Sequence, residues 1–284
     1  MDFPKDSLSK VTCHNEYGTL QRVLLCTPQF MEIKEVINET QERFVNDDIN
    51  SLLAVEQHES LIKVLEKENI DVILLTANEK FPEQVFTRDI GFTVGETLFL
   101  ANMKRKVRQN EDKTFAKWLT EHGISFESIK NGSIEGGDVI VDSTRVWVGS
   151  SDRTSMEAID ELRGKSPGFE ITAVPFMEEY LHLDCVFNII SPNEALIYPK
   201  AFDRNVVNTL SSCYDLIDVS SKEQFTLGTN ILSIGNRTVI SLPINKEVNK
   251  KLRRRGFSVV EVDISEIIKS GGSFRCITLP LIRE

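Results

Sequence analysis

Four polar segments place ionisable or reactive side chains beside apolar runs or paired glycines. They are Phe86-Thr87-Arg88-Asp89, Ile134-Glu135-Gly136-Gly137-Asp138, Leu181-His182-Leu183-Asp184 and Gly271-Gly272-Ser273-Phe274-Arg275-Cys276. Together they offer a thiol, Cys276, a base, His182, an acidic group to orient that base, Glu135, and two further carboxylates, Asp89 and Asp184. A thiol is a strong nucleophile only as the thiolate, so it needs a base or a cation nearby. A carboxylate pair suits a planar cation, because a guanidinium presents five N–H donors in a fixed fork. Each segment taken singly also has a plainer reading. Cys276 can be a buried core thiol, and His182 a core or cap histidine. Glu135 to Asp138 can be a turn built on glycines, and Arg88-Asp89 a structural ion pair.

The elements that must position these residues follow a recurring pattern of strand, turn, strand, helix, strand. The clearest copy has strands at 139–141 and 145–148 around Asp142-Ser143-Thr144, a helix over 154–162 and a return strand at 169–174. Met156, Ile159 and Leu162 fall on one face of that helix. A second copy is a hairpin over 91–101 turning at Gly95-Glu96, a helix over 111–121 and a strand at 125–129. A third is a hairpin over 186–198 turning at 191–194, followed by a helix over 203–211. A fourth is a hairpin over 229–242 turning at Gly235-Asn236, with a helix capped by Asn245, closed by Gly256 and followed by a strand at 257–262. The first segment fits more loosely, as a strand at 21–26, a helix over 52–67 and a strand at 71–75, with a long insertion over 28–50. About five strand-rich units therefore cover the chain, and no Pro/Gly/Ser linker divides it, so residues 1–284 are expected to form one α/β domain. A radial array of such units lets turns from every unit converge. The alternative is an ordinary α/β sheet decorated with hairpins.

Composition removes several function classes. The 284 residues carry 33 Lys plus Arg against 43 Asp plus Glu, a formal charge of −10 that argues against general binding to nucleic acid or anionic membranes. No apolar run reaches the length of a membrane-spanning helix. The first residues lack a basic start followed by an apolar core, so no secretory leader is expected. Five scattered cysteines without a CxxC pair, and only four histidines, give little basis for a disulfide scaffold or a zinc site. The expected compartment is the cytoplasm. Cys13 is the cysteine expected to be most exposed. The basic cluster Lys104, Arg105, Lys106 and Arg108 reads as a solvated face. The sequence leaves the oligomeric state open, a homodimer included.

The order and spacing of the four polar segments, with the terminal GGSFRC, resemble the guanidine-modifying superfamily from about residue 18 to 281. That group comprises arginine deiminases, dimethylarginine dimethylaminohydrolases and amidinotransferases. The resemblance implies a five-bladed, pseudo-symmetric α/β propeller of ββαβ units, the pentein fold. It implies Cys276 as nucleophile, His182 as general acid/base and Glu135 as its orienter. Asp89 and Asp184 would grip the guanidinium nitrogens. Arg153 would hold a substrate α-carboxylate, and Arg108 would be a second such arginine. No metal or cofactor is implied, and the partner is a small guanidine compound. The absence of an added helical domain favours a dimethylarginine hydrolase, whereas Asp184 in HLD is more like deiminases and amidinotransferases. Hydrolysis of dimethylarginine or a close arginine derivative is the leading expectation. Arginine deimination, amidino transfer and non-catalytic guanidinium binding are the alternatives. A covering loop at 30–50 or 18–28 is expected to set specificity.

Overall fold

The computed structural model describes residues 10–284; the start of the segment read as lacking a secretory leader, residues 1–9, lies outside them. Five small sheets are present. Four are built alike: Gly91–Val94, Thr97–Leu100 and Phe126–Ser128; Val139–Asp142, Arg145–Ser150 and Glu170–Pro175; Phe187–Ser191, Glu194–Ile197 and Asp215–Asp218; Leu232–Gly235, Thr238–Ser241 and Ser258–Glu261. In each, the first two strands form an antiparallel hairpin and the third joins parallel to the second. A parallel return needs a crossover, and the helices Glu111–Glu121, Met156–Lys165, Arg204–Cys213 and Lys246–Arg254 supply it. This is the five-bladed α/β propeller.

The first blade closes the ring in a way the sequence reading did not foresee. Its opening strand is Leu279–Arg283, which pairs antiparallel with Leu20–Cys26; Asp71–Leu75 then joins Leu20–Cys26 in parallel. A short strand, Thr12–Cys13, pairs in parallel with the other edge of Leu279–Arg283. The loosely fitting first unit is therefore a complete blade whose first strand comes from the other end of the sequence. Cys13 is buried by this pairing and by its bridge to Gly95, so the expectation that it is the most exposed cysteine is wrong; Cys213 is the more exposed one.

Local chemistry explains the element boundaries. Ser155 caps its helix by accepting from Ala158 N, so the helix starts at Met156 rather than 154, and Ala158, Ile159 and Leu162 turn inward. Asn50 likewise caps Ser51–Lys67, whose Ala54, His58, Leu61 and Leu65 form the inner face. Asn245 stands at the N-cap position of Lys246–Arg254, but its side chain is spent on Thr226. The Glu223 carboxylate caps that helix instead, accepting from Glu247 N and Val248 N. No helix among the described residues is long and apolar enough to cross a membrane.

Candidate active site

The polar segments share one structural position, the turn that feeds the first strand of a blade. Asp89 precedes Gly91–Val94, and a single 3-10 turn over Gly136–Asp138 follows Glu135 and leads into Val139–Asp142. His182 opens a similar turn, Leu183–Cys185, before Phe187–Ser191. Cys276 lies just ahead of the ring-closing strand Leu279–Arg283, so it obeys the same rule. Asp89, Glu135, His182, Asp184 and Cys276 are all buried. The paired glycines are required by space. A Cβ on Gly137 would stand 2.6 Å from His182 Nδ1 and 3.0 Å from Asp89 Oδ1, and one on Gly272 would stand 2.2 Å from the Phe86 ring.

His182 Nε2 is 2.8 Å from Glu135 Oε2, and its Nδ1 faces Asp89 Oδ1 at 3.6 Å. Burial opposes a charged imidazole, but Asp89, the Glu135 hydrogen bond and Asp138 outweigh it and hold His182 up at about 10. Glu135 is drawn down to about 2, because contacts with His182, Arg153 and Arg108 overcome the effect of burial. Its Oε1 also accepts from Lys104 N at 3.2 Å. The site at neutral pH is thus an imidazolium beside a carboxylate. Asp138 anchors the next turn, accepting from Leu183 N at 2.9 Å and Ser151 Oγ at 2.7 Å. Burial nevertheless pushes Asp138 up to about 6.

Cys276 Sγ lies 3.9 Å from Asp184 Oδ1. Asp184 Oδ2 faces Arg275 Nε at 3.5 Å and makes no hydrogen bond; Asp89 Oδ1 and His182 Nδ1 are also without one. Burial raises Asp184 against the pull of Arg275 and His182. Two residues the sequence reading missed tie several of these turns together. Asn230 Oδ1 accepts from Arg275 N at 3.0 Å and Cys276 N at 3.3 Å, while its Nδ2 donates to Asp184 O at 3.2 Å. Glu16 accepts from Arg88 Nη2 and Arg275 Nη1, both at 2.8 Å. Arg88 therefore pairs with Glu16 and not with Asp89 as its sequence neighbour suggested. The place of Asn230 just before Leu232–Gly235 was a usable signal; Glu16 had none.

Cys276, Asp89, Arg108, Arg153 and Glu83 line one narrow cleft. Arg153 donates to Ile37 O at 2.8 Å and approaches Glu135 Oε2 at 3.4 Å. Arg108 is turned onto Asp89 and onto Glu111, the latter at 2.8 Å. It is buried, unlike exposed Lys104 and Lys106, so it does not belong to a solvated face. Of the two covering loops considered, the later one is found here: Ile37 and Asn38 line the cleft, whereas 18–28 is mostly the strand Leu20–Cys26. Two trios also carry metal-capable donor atoms within 4.8 Å of one another, Asp89 with Glu135 and His182, and Asp184 with Cys185 and Cys276.

Five ββαβ blades whose inner turns meet in one carboxylate-rich, thiol-bearing cleft are the architecture of the guanidine-modifying superfamily. Residues 27–283 match the family described as N,N dimethylarginine dimethylhydrolase, eukaryotic, and the chain belongs to that family. It is 51% identical over 283 residues to the uncharacterized protein YkgA of Bacillus subtilis, covering 100% of this chain and 99% of that one. It is 26% identical to the N(G),N(G)-dimethylarginine dimethylaminohydrolase of Mycobacterium tuberculosis, over 92% of this chain and 86% of that one. Among solved structures, the N-terminal domain of a variant of ArgZ, a cyanobacterial arginine dihydrolase, superposes with a TM-score of 0.85 at 26% identity, covering 92% of this chain and 98% of that one; it was captured covalently bound to a reaction intermediate. Relatives with assigned activities include that dimethylarginine dimethylaminohydrolase and an arginine deiminase of Limosilactobacillus reuteri, the latter 28% identical over 72% of this chain and 62% of that one.

Proposed function

We propose that the protein is a guanidine-group hydrolase acting as one catalytic domain, with dimethylarginine or a close arginine derivative as its substrate. The observation that carries this reading is a cleft lined by Cys276 and Asp89, with the Glu135-held imidazolium facing Asp89 from behind it and Asp184 beside the Cys276 sulfur. A guanidinium is resonance-stabilised and a poor electrophile, so it must be fixed in its plane before attack. Asp89 and Asp184 grip its nitrogens and localise its charge. Arg153 holds the substrate carboxylate, and Arg108 joins it by sharing the charge it now places on Asp89. The Cys276 thiolate bonds to the guanidinium carbon, giving a tetrahedral species. Because Nε2 is held by Glu135, Nδ1 is the nitrogen that passes a proton to the departing amine. The C–N bond breaks with its electron pair on that amine, leaving an S-alkylthiouronium. His182 then takes a proton from water, whose oxygen attacks the same carbon. The C–S bond breaks, the thiolate is restored and a ureido product departs.

A second reading, removal of ammonia from arginine itself, is favoured by Asp184. A second carboxylate suits two unsubstituted nitrogens, since methyl groups remove donors and add bulk. Product analysis separates the readings. The protein is incubated with dimethylarginine, arginine and agmatine, with and without glycine as amidine acceptor, and with Cys276→Ser as control. Ureido product and dimethylamine, lost in the variant, are expected; ammonia from arginine selects the second reading, and an amidine on glycine selects transfer. Binding of these guanidines without any turnover overturns the hydrolase reading in favour of a binding protein.

A further inference from the structure

Catalysis as proposed uses one thiol, yet the site holds two. Cys185 follows Asp184 directly, and its sulfur lies 3.7 Å from the same Asp184 Oδ1 that Cys276 Sγ approaches at 3.9 Å. The two sulfurs and a carboxylate oxygen of Asp184 all lie within 4.8 Å of one another. Both cysteines are mounted on one bracket. The Asn230 amide holds Cys276 N with its oxygen and Asp184 O with its nitrogen, and neighbouring Thr229 donates to Cys185 O.

We infer that Cys185 is a resolving thiol, and that peroxide converts Cys185 and Cys276 into a reversible disulfide that switches the site off. The two cysteines border different clefts. Cys276 lines the narrow cleft, and Cys185 lines an adjoining one beside Asn38, Leu181 and Gly271. The oxidant of this proposal is a small one, entering through the mouths of these clefts. The Cys185 thiol is held protonated, by its hydrogen bond to Cys276 first and by burial next, so it keeps a proton to give.

The chemistry balances. The Cys276 thiolate attacks one peroxide oxygen, the O–O bond breaks, and hydroxide leaves a sulfenic acid on Cys276. Cys185 sulfur then attacks the Cys276 sulfur. The S–S bond forms, the S–O bond breaks, and the oxygen departs as water with the Cys185 proton. Two thiols have lost two electrons and two protons, and the peroxide has become two waters. The disulfide requires the two sulfurs, now within 4.8 Å of one another, to close to about 2.05 Å. The oxidised pair cannot attack a guanidinium, and it protects Cys276 from irreversible sulfinic acid.

The inference rests on the reactivity assigned to Cys276 under the proposed function, but its main readout does not depend on turnover. Full-length wild-type protein and Cys185→Ser are treated with hydrogen peroxide, alone and with dimedone, then digested without reduction for peptide mass analysis. Wild type is expected to yield a Cys185–Cys276 cross-linked peptide lacking two hydrogens, with little dimedone adduct. Its activity is expected to fall and return with dithiothreitol. Cys185→Ser is expected to carry dimedone on Cys276, or sulfinic acid without it, and not to recover. Wild type that carries the dimedone adduct with no cross-link overturns the proposal, as does a Cys276 that peroxide leaves unchanged. A cross-link in a protein without guanidine turnover keeps the thiol pair and sinks the hydrolase reading instead.

Discussion

At the scale of single residues, the His182–Glu135 pair makes the sharpest forecast. An imidazole held at about 10 stays protonated through neutral pH and is ready to give a proton to a leaving amine. Turnover should therefore fall as pH rises through about 10. Glu135→Gln removes a negative charge that supports the imidazolium and leaves burial to lower its pKa further. The alkaline limb should move to lower pH, and kcat should drop by about 10²–10⁴-fold, the range for lost general acid–base help. Profiles of kcat/KM against pH for both proteins check this; a limb that does not move removes His182 from the role of acid. The same pair affects stability in a defined window. His182 is raised, so its contribution is complete below its ordinary 6.5 and is lost as pH rises through about 10. Glu135 is lowered, so its contribution is present above its ordinary 4.5 and is lost as pH falls through about 2. Their joint support is greatest between 4.5 and 6.5. Asp138 and Glu83 are both raised by burial, to about 6 and about 7, and their contributions fade as pH rises through those values. Melting temperature should consequently decline from mildly acidic toward neutral pH.

At the scale of elements, the covering segment is tied down by few contacts. Asn38 caps the short helix Glu39–Phe44 and donates to Ser270 O at 3.0 Å, and buried Gln41 donates to Glu83 Oε1 and Ser270 Oγ, both at 2.8 Å. Gly271, at φ +93, adopts a backbone that favours glycine, and a Cβ there would stand 2.6 Å from Asn38. Gln41→Ala leaves the Glu83 carboxylate short of a buried donor, a loss of about 1–3 kcal/mol. Hydrogen exchange over residues 37–44 should quicken while the blade strands keep their protection, and KM should rise more than kcat falls. Unchanged exchange there would show that Gln41 does not hold the segment. Such ties were illegible in the sequence, because an amide and a carboxylate 42 positions apart leave no periodic trace. The blades were legible, because alternating strands, turn residues and inward helical faces are local signals. The helix Glu111–Glu121 falls on its expected bounds, and each hairpin turn stands where its Gly, Asn or Ser was read. Three of the four polar segments were read beside a strand start and the last at the chain's end, and the structure sets that last one before a strand as well and brings all four together. Their fifth counterpart at Asn230 was passed over because an amide without charge looked like an ordinary turn residue.

At the scale of the whole molecule, the ring is held by groups from both ends of the described chain, and this links folding to the site. Leu279–Arg283 completes the blade of Leu20–Cys26, and Arg283 donates to Gly18 O and Ser233 O, both at 2.8 Å. Just inside this closure, Glu16 accepts from Arg88, from Arg275 and from Val141 N at 3.2 Å, so one carboxylate joins three blades. Its two arginines hold it well below the usual carboxylate range despite burial. Arg275 precedes Cys276, so slack at Glu16 passes directly to the proposed nucleophile. Glu16→Ala strands two buried guanidinium groups and should cost about 3–5 kcal/mol, the range for breaking a buried pair from one side. Glu16→Gln keeps the shape and one acceptor oxygen and should cost less. Urea denaturation gives the stability change, and the rate of iodoacetamide modification of Cys276 under native conditions reports the loop. If closure and site are coupled as drawn, Glu16→Gln, still folded, should change the Cys276 modification rate while leaving that of the more exposed Cys213 as it was. A Cys276 rate that stays put in a destabilised but folded Glu16→Gln protein would show that Glu16 serves the ring alone.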